Sequence, residues 1–162
     1  MKKPLLLISF LVCLFAVTSQ AQNYQSAIGA RLGSPLSVTY KTFLNESSAL
    51  EAYGGFRSFS GYSWFSVAGA YQIHKPLTSE IDGLNYYFGG GAAAFFWSYD
   101  LGFDGGASTS FGLQGYLGLD YTFADSPINI TVDWVPTIFL NGFGSGFGAG
   151  YGSLGVRYVL SR

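Results

Sequence analysis

The chain has 162 residues, is 49% hydrophobic and only 10% charged, and carries a net charge of −1. A soluble domain usually has about 25% charged residues, and 8 basic against 9 acidic side chains give no basic field for nucleic acid. Aromatic residues make up 19% of the chain, which suits β-strands and membrane interfaces.

Lys2 and Lys3 precede an apolar run from Leu5 to Val17, and Ser19-Gln20-Ala21 offers a small-x-small cleavage site. The run is shorter than the roughly 20 residues a membrane helix requires. It reads as a secretory leader over residues 1–21, leaving a mature chain of 22–162. Cys13, the only cysteine, falls inside the leader and too early to be lipidated at the cleavage point. The mature chain then has no thiol chemistry. It keeps 6 basic side chains against 9 acidic ones, a net of −3.

Beyond the leader the chain alternates with the strand period of two. In the first predicted strand, Ala27 to Leu32, Ile28, Ala30 and Leu32 share one face and Arg31 lies on the other. After Gly33-Ser34-Pro35 the second runs Leu36 to Phe43, with Leu36, Val38 and Tyr40 opposite Ser37, Thr39 and Lys41. The third, Ala49 to Arg57, sets Leu50, Ala52, Gly54 and Phe56 against Glu51, Tyr53, Gly55 and Arg57. A loop is expected over Ser58 to Ser63, then a fourth strand from Trp64 to His74.

The fifth strand runs from Leu84 to about Trp97. Its centre, Gly89 to Ala94, has almost no side-chain volume, and in a narrow barrel such residues leave room for bulky neighbours inside. A loop over Ser98 to Ser110 follows. The sixth strand, Phe111 to Phe123, alternates most cleanly, with Phe111, Leu113, Leu117 and Leu119 opposite Gln114, Tyr116 and Asp120. The seventh runs Ile128 to Leu140 and has Asp133 on its polar face. Pro136 must sit there at a bulge or near a rim, because it lacks the ladder donor. A glycine-rich loop from Asn141 to about Gly148 leads to the last strand, in which Leu154, Val156, Tyr158 and Leu160 alternate with Ser153, Gly155, Arg157 and Val159.

Eight such strands, with no 3.6-residue pattern and no linker, predict an all-β fold: an eight-stranded antiparallel transmembrane up-and-down β-barrel. A soluble barrel would put apolar residues inside and charges outside. Here the face opposite each apolar one is nearly free of charge on whole strands, a poor water-facing surface. Turned outward, the apolar faces meet lipid with few charges, each of which costs about 2–4 kcal/mol at midplane.

From Ala27 to Leu160 the chain resembles the small outer-membrane β-barrel proteins of Bacteroidetes-type bacteria. The resemblance is carried by Ala27-Ile28-Gly29-Ala30-Arg31-Leu32-Gly33, by Leu84-Asn85-Tyr86-Tyr87-Phe88-Gly89-Gly90-Gly91 and by Asp133-Trp134-Val135-Pro136. The end of the chain is similar to a barrel-assembly signal, matched by Ser153, Gly155, Tyr158 and Leu160. It departs from the commonest form by ending in Ser161-Arg162. The resemblance implies residence in the outer membrane of Gram-negative bacteria after export, contact with membrane lipid, and insertion by the barrel-assembly machinery. It carries no single activity.

Arg31, Lys41, Glu51 and Arg57 fall on inward faces of the first three strands, and Asp120, Asp133 and Arg157 on those of later ones. Charges in a narrow lumen must be paired, because desolvating them is expensive. These seven residues are therefore expected to form a structural lumen network, with a polar conduit as the functional alternative. His74, the only histidine, has inward parity at a strand end. With Ser63 or Ser66 it gives no recognisable catalytic dyad, and a structural histidine at the rim is expected. No metal site is expected from one histidine, no mature cysteine and scattered carboxylates. The G-x-G-x-x-G of Gly150 to Gly155 lacks the following helix that a nucleotide site needs. No catalytic, cofactor-binding or metal-binding residue is assigned. The expectation is a non-enzymatic structural or assembly-partner barrel with a protein partner of unknown kind. A narrow porin, a barrel binding lipid or a small ligand, and an enzyme modifying lipid A are the alternatives. Mass spectrometry of the exported protein should find an N-terminus at Gln22; a membrane-bound product that keeps Met1 would contradict the leader.

Overall fold

A computed structural model describes residues 24–78, 80–99, 107–141 and 146–162. The leader with its cleavage site, Cys13, and Asp100 and Asp104 lie outside these residues. The strands are β1 (Ser26–Gly33), β2 (Leu36–Phe43), β3 (Ser48–Phe59), β4 (Tyr62–Pro76), β5 (Leu84–Tyr99), β6 (Ala107–Thr122), β7 (Ile128–Trp134), β8 (Thr137–Phe139), β9 (Gly146–Gly148) and β10 (Gly152–Ser161). Among the described residues there is no helix.

Every pairing is antiparallel, and the order β5-β4-β3-β2-β1-β10-β7-β6 is closed by β6 pairing with β5. β8 continues the stave of β7 along β6, and β9 continues that of β10. The result is a closed eight-stave barrel. Closure leaves the sheet no free edge along the paired staves, the condition for strands to cross lipid.

The register sets the barrel's width. From Arg31 one path runs through Ser37 and Gly55 to Ser66. The other runs through Gly155, Thr131, Asp120 and Asn85 to Pro76, ten residues further along β4. A stagger of ten over eight staves tilts the strands by about 40° and leaves an interior that side chains fill.

The alternation read from the sequence sorts cleanly across the wall. Ile28, Leu36, Val38, Phe65, Val67, Leu113, Leu117, Val132, Ile138, Leu154 and Val156 are exposed on the outside, while Arg31, Thr39, Lys41, Glu51, Gln72, Asp120, Thr131, Asp133 and Arg157 are buried inside. A core of charges within an apolar surface is the inverse of a soluble barrel.

Three expected loops are shorter than the sequence suggested. Ser58 to Ser63 contributes only Ser60 and Gly61 to a tight hairpin, with Gly61 at φ 96° where an L side chain would be strained. β5 and β6 reach Tyr99 and Ala107, and part of the last glycine-rich loop forms β9. The physical reason is common to the first two. Ser58, Ser63 and Ser98 stand just past the outward Phe56, Phe65 and Phe96, above the apolar belt, where polarity no longer separates strand from loop.

Pro136 sits at a bulge. Between the pairs Trp134–Gly152 and Thr137–Gly148, two residues of one stave face three of the other. Val135 N–H donates to Tyr151 O at 2.9 Å, and Pro136 O accepts from Gly115 N–H at 2.9 Å. The glycines of β5 have a different reason from the expected one. A Cβ at Gly89 or Gly91 would strike the backbone of β4 at Tyr71 or Gly69, not a side chain across the lumen. At Gly118 a Cβ would meet both the Val132 carbonyl at 2.6 Å and the Tyr87 ring at 2.7 Å, so this glycine also makes room for the ring.

The outward orientation predicts the behaviour of β6. In a bilayer, labels scanned from 111 to 123 should report lipid at the odd positions, and Leu117→Arg should destabilise by about 2–4 kcal/mol. Maximum lipid exposure at 114, 116, 118 and 120 would reverse the two faces.

Candidate functional site

The chemistry of the molecule is concentrated in its lumen, because that is where the alternation sends the charges. β3 places Glu51 at the centre. Its Oε1 accepts from Arg31 Nη1 of β1 at 3.0 Å, from Thr39 Oγ1 of β2 at 2.6 Å, and from Arg157 Nη2 of β10. Its Oε2 accepts from Gln72 Nε2 of β4 at 2.7 Å, and Lys41 Nζ lies 3.7 Å away. All these groups are buried.

Two further carboxylates complete the cluster. Asp133 meets Arg31 Nη2 at 2.8 Å and accepts from Tyr87 Oη at 2.7 Å and from Ser153 Oγ at 2.9 Å. Asp120 accepts from Asn129 Nδ2 at 2.6 Å and pairs with Lys41 Nζ at 3.4 Å. Arg157 Nη1 also donates to Asn129 Oδ1 at 3.2 Å and Thr131 Oγ1 at 3.0 Å. Arg31 lies over the Tyr53 ring at 4.5 Å and Lys41 over the Tyr87 ring at 4.6 Å. Three cations face three carboxylates, so the cluster is neutral as a whole. Each member still depends on the others, since a lone buried charge is very costly.

Layers of a different kind lie on either side. Toward the end that carries the chain termini, Tyr24, Phe43, His74 and Tyr87 stack edge and face at 4.8–5.0 Å. Toward the far end, Tyr53, Gln114 and Tyr116 form a hydrogen-bonded triangle of 2.8–3.1 Å. Beyond it, Trp64, Phe95, Trp97 and Phe139 fill the mouth. A cavity of about 20 Å³ remains behind the β1–β2 turn, lined among others by Arg31, Tyr53, Gln114 and Tyr151. That is room for about one water.

Six of the seven residues expected in the lumen are brought together. Arg57 is not. It sits half-buried near the far rim, donates to Ser34 Oγ, and lies 4.3 Å from the Phe59 ring centroid. Its parity is inward, but it is six residues along β3 from Glu51, beyond reach of the cluster. His74 is buried between Phe43 and Tyr87 and is not at a rim; its Nε2 is 3.3 Å from Gln72 Oε1. Ser66 lies eight residues up the same strand, roughly 26 Å at strand rise, so the two make no dyad. Of the residues resembling an assembly signal, Ser153 binds Asp133, and Gly155 leaves space that a Cβ would take from Thr131. Tyr158 and Leu160 are exposed on the outer face.

Sequence reasoning missed the neutral partners Thr39, Gln72, Tyr87, Asn129 and Thr131. Inward parity was their signal. It also missed Arg162, whose guanidinium ties down the β6–β7 turn through Phe123 O, Ala124 O and Ser126 O at 2.8–3.0 Å. Nothing in the alternation marks that contact. Among the described residues no group of histidine, cysteine and carboxylates is arranged to hold a metal.

A closed eight-stave barrel, ion-paired inside and apolar outside, has the architecture of a membrane-spanning β-barrel. Two solved structures share the fold. Neisserial surface protein A (NspA) aligns with a TM-score of 0.58 at 18% identity, over 83% of this chain and 93% of that one. The N-terminal β-barrel domain of Pseudomonas aeruginosa OprF aligns with a TM-score of 0.59 at 17% identity, over 85% and 98%. No family model matches the chain, and no curated protein does.

Glu51→Gln removes the charge that three cations share. Equilibrium unfolding in lipid should show a loss of about 3–5 kcal/mol, the cost of breaking a buried pair. Arg57→Gln, outside the cluster, should cost less than about 1 kcal/mol. Equal losses would contradict the central place of Glu51.

Proposed function

We propose that the mature chain resides in the outer membrane of a Gram-negative, Bacteroidetes-type bacterium as a plugged barrel with a structural or partner-binding role. The observation that carries this reading is the filled cross-section. Arg31 reaches Glu51 on β3 and Asp133 on β7, Arg157 reaches Glu51 from β10, and Lys41 reaches Asp120 on β6. These links cross the lumen in several directions. An ion entering there would have to break buried pairs, which is why the porin reading is disfavoured. A cavity that holds about one water gives little support to a small-ligand site inside the barrel.

Export under the leader of residues 1–21 brings the chain to the assembly machinery, and Ser153, Gly155, Tyr158 and Leu160 are the residues offered to it. The enzyme reading has no support in the arrangement of His74, which is stacked between rings and far from Ser66 along the strand. With transport and catalysis disfavoured, the outer surface and the loops at the far end are where a partner would bind.

Planar-bilayer recording of the refolded mature protein tests this reading. No sustained conductance steps are expected. Stable steps in the wild type that vanish in a barrel with its mouth blocked would establish a conduit and overturn the proposal.

A further inference from the structure

The barrel wall is uneven. β1 and β2 have 8 residues each, β3 has 12, β4 has 15, and β5 and β6 have 16 each. At a tilt near 40° each residue adds roughly 2.5 Å of height. The β1–β2 wall is thus about 20 Å high and the β5–β6 wall about 40 Å. The shortfall lies at the far end, because the near ends are laced together: Gln25 N–H donates to Ser161 O, Phe43 N–H to Gln25 O, and His74 N–H to Ser47 O, at 2.7–2.8 Å.

Outward apolar residues therefore stop at Leu32 and Leu36 on this side, while β5 and β6 carry theirs up to Phe96 and Phe111. A strand spanning a bilayer needs about 9–11 residues. Above the Ser34-Pro35 turn the wall has a notch, at a depth where neighbouring staves are still apolar.

The notch is polar where lipid tails would otherwise reach it. Arg57 leans over the turn and donates to Ser34 Oγ, with its guanidinium held against the rings of Phe59 and Trp64 at 4.3 and 5.6 Å. It forms no ion pair among the described residues, and it is the one ionic side chain among those at the far rim. Phe59 and Tyr62, stacked at 5.3 Å, stand exposed beside it on the same face of the hairpin, above the buried Trp64. Behind the turn, Tyr53, Gln114 and Tyr151 line the small cavity on the lumen side.

We propose that this notch seats the phosphate headgroup of a membrane lipid on Arg57, drawing the bilayer thin against the β1–β2 wall. A guanidinium and an open turn left in hydrocarbon are expensive, whereas thinning costs little per ångström of mismatch. Phosphate suits the arginine because its oxygens match the planar fork. The inference rests on the membrane-spanning reading and does not require the lumen to be closed to ions.

The test uses the mature protein in phosphatidylcholine bilayers containing phosphatidylglycerol, with one label each through Leu36→Cys, Phe96→Cys or Leu117→Cys. Labels at 36 and 96 should both be quenched from the headgroup region despite their different heights on the barrel, and the label at 117 from mid-chain. Mid-chain quenching at 36, with 117 still in lipid, would overturn the notch. A water-exposed label at 117 would instead overturn the membrane reading beneath it. Phosphatidylglycerol retained by the detergent-exchanged protein should fall about threefold in Arg57→Gln, the worth of one partly exposed ion pair. It should be largely kept in Arg57→Lys. Unchanged retention in Arg57→Gln would contradict the assignment of the phosphate to Arg57.

Discussion

One buried carboxylate organises this barrel. Glu51 contacts Arg31, Lys41 and Arg157, which come from three different strands. A carboxylate without those cations would be costly to bury, and so would the cations without it. The cluster is satisfied only when β1, β2, β3 and β10 hold their observed register. Moving any of them by one residue would turn its charge to the outer face. Asp133 and Asp120 extend the same requirement to β7 and β6. The polar interior thus specifies strand order and register more sharply than the apolar belt, which tolerates one aliphatic residue for another.

The outer face answers to lipid, and its requirements are looser. Closure satisfies the backbone, and alternation supplies the apolar belt. Height varies around the circumference. The low β1–β2 wall lies beside the taller β3–β4 hairpin, and the rim between them carries Arg57, Ser34 and exposed rings. A filled lumen and an uneven rim together move the functional interest from the inside of the barrel to its edge.

The fold was legible because two-residue alternation is a direct imprint of a wall with one polar and one apolar face. Leu117 and Gln114 could be assigned to opposite sides from β6 alone. Six of the seven lumen charges were legible for the same reason. Height was harder to read. Parity gives the direction of a side chain but not its level, so Arg57 was grouped with charges it cannot reach. Level depends on the ten-residue stagger, which appears only when the strands are paired. Loop boundaries failed at Ser58, Ser63 and Ser98, where strands continue past the belt and lose the apolar signal. The contact of Arg162 with the Phe123–Ser126 turn was invisible, since it joins residues that no pattern relates.

Solid-state NMR of the protein in lipid bilayers, with carbon and nitrogen labels on glutamate, arginine and lysine side chains, examines the hub itself. Correlations from the Glu51 carboxylate to the guanidinium nitrogens of both Arg31 and Arg157, and to Lys41 Nζ, are the result expected of a filled lumen. A Glu51 carboxylate that correlates with mobile water and with none of these three nitrogens would contradict it.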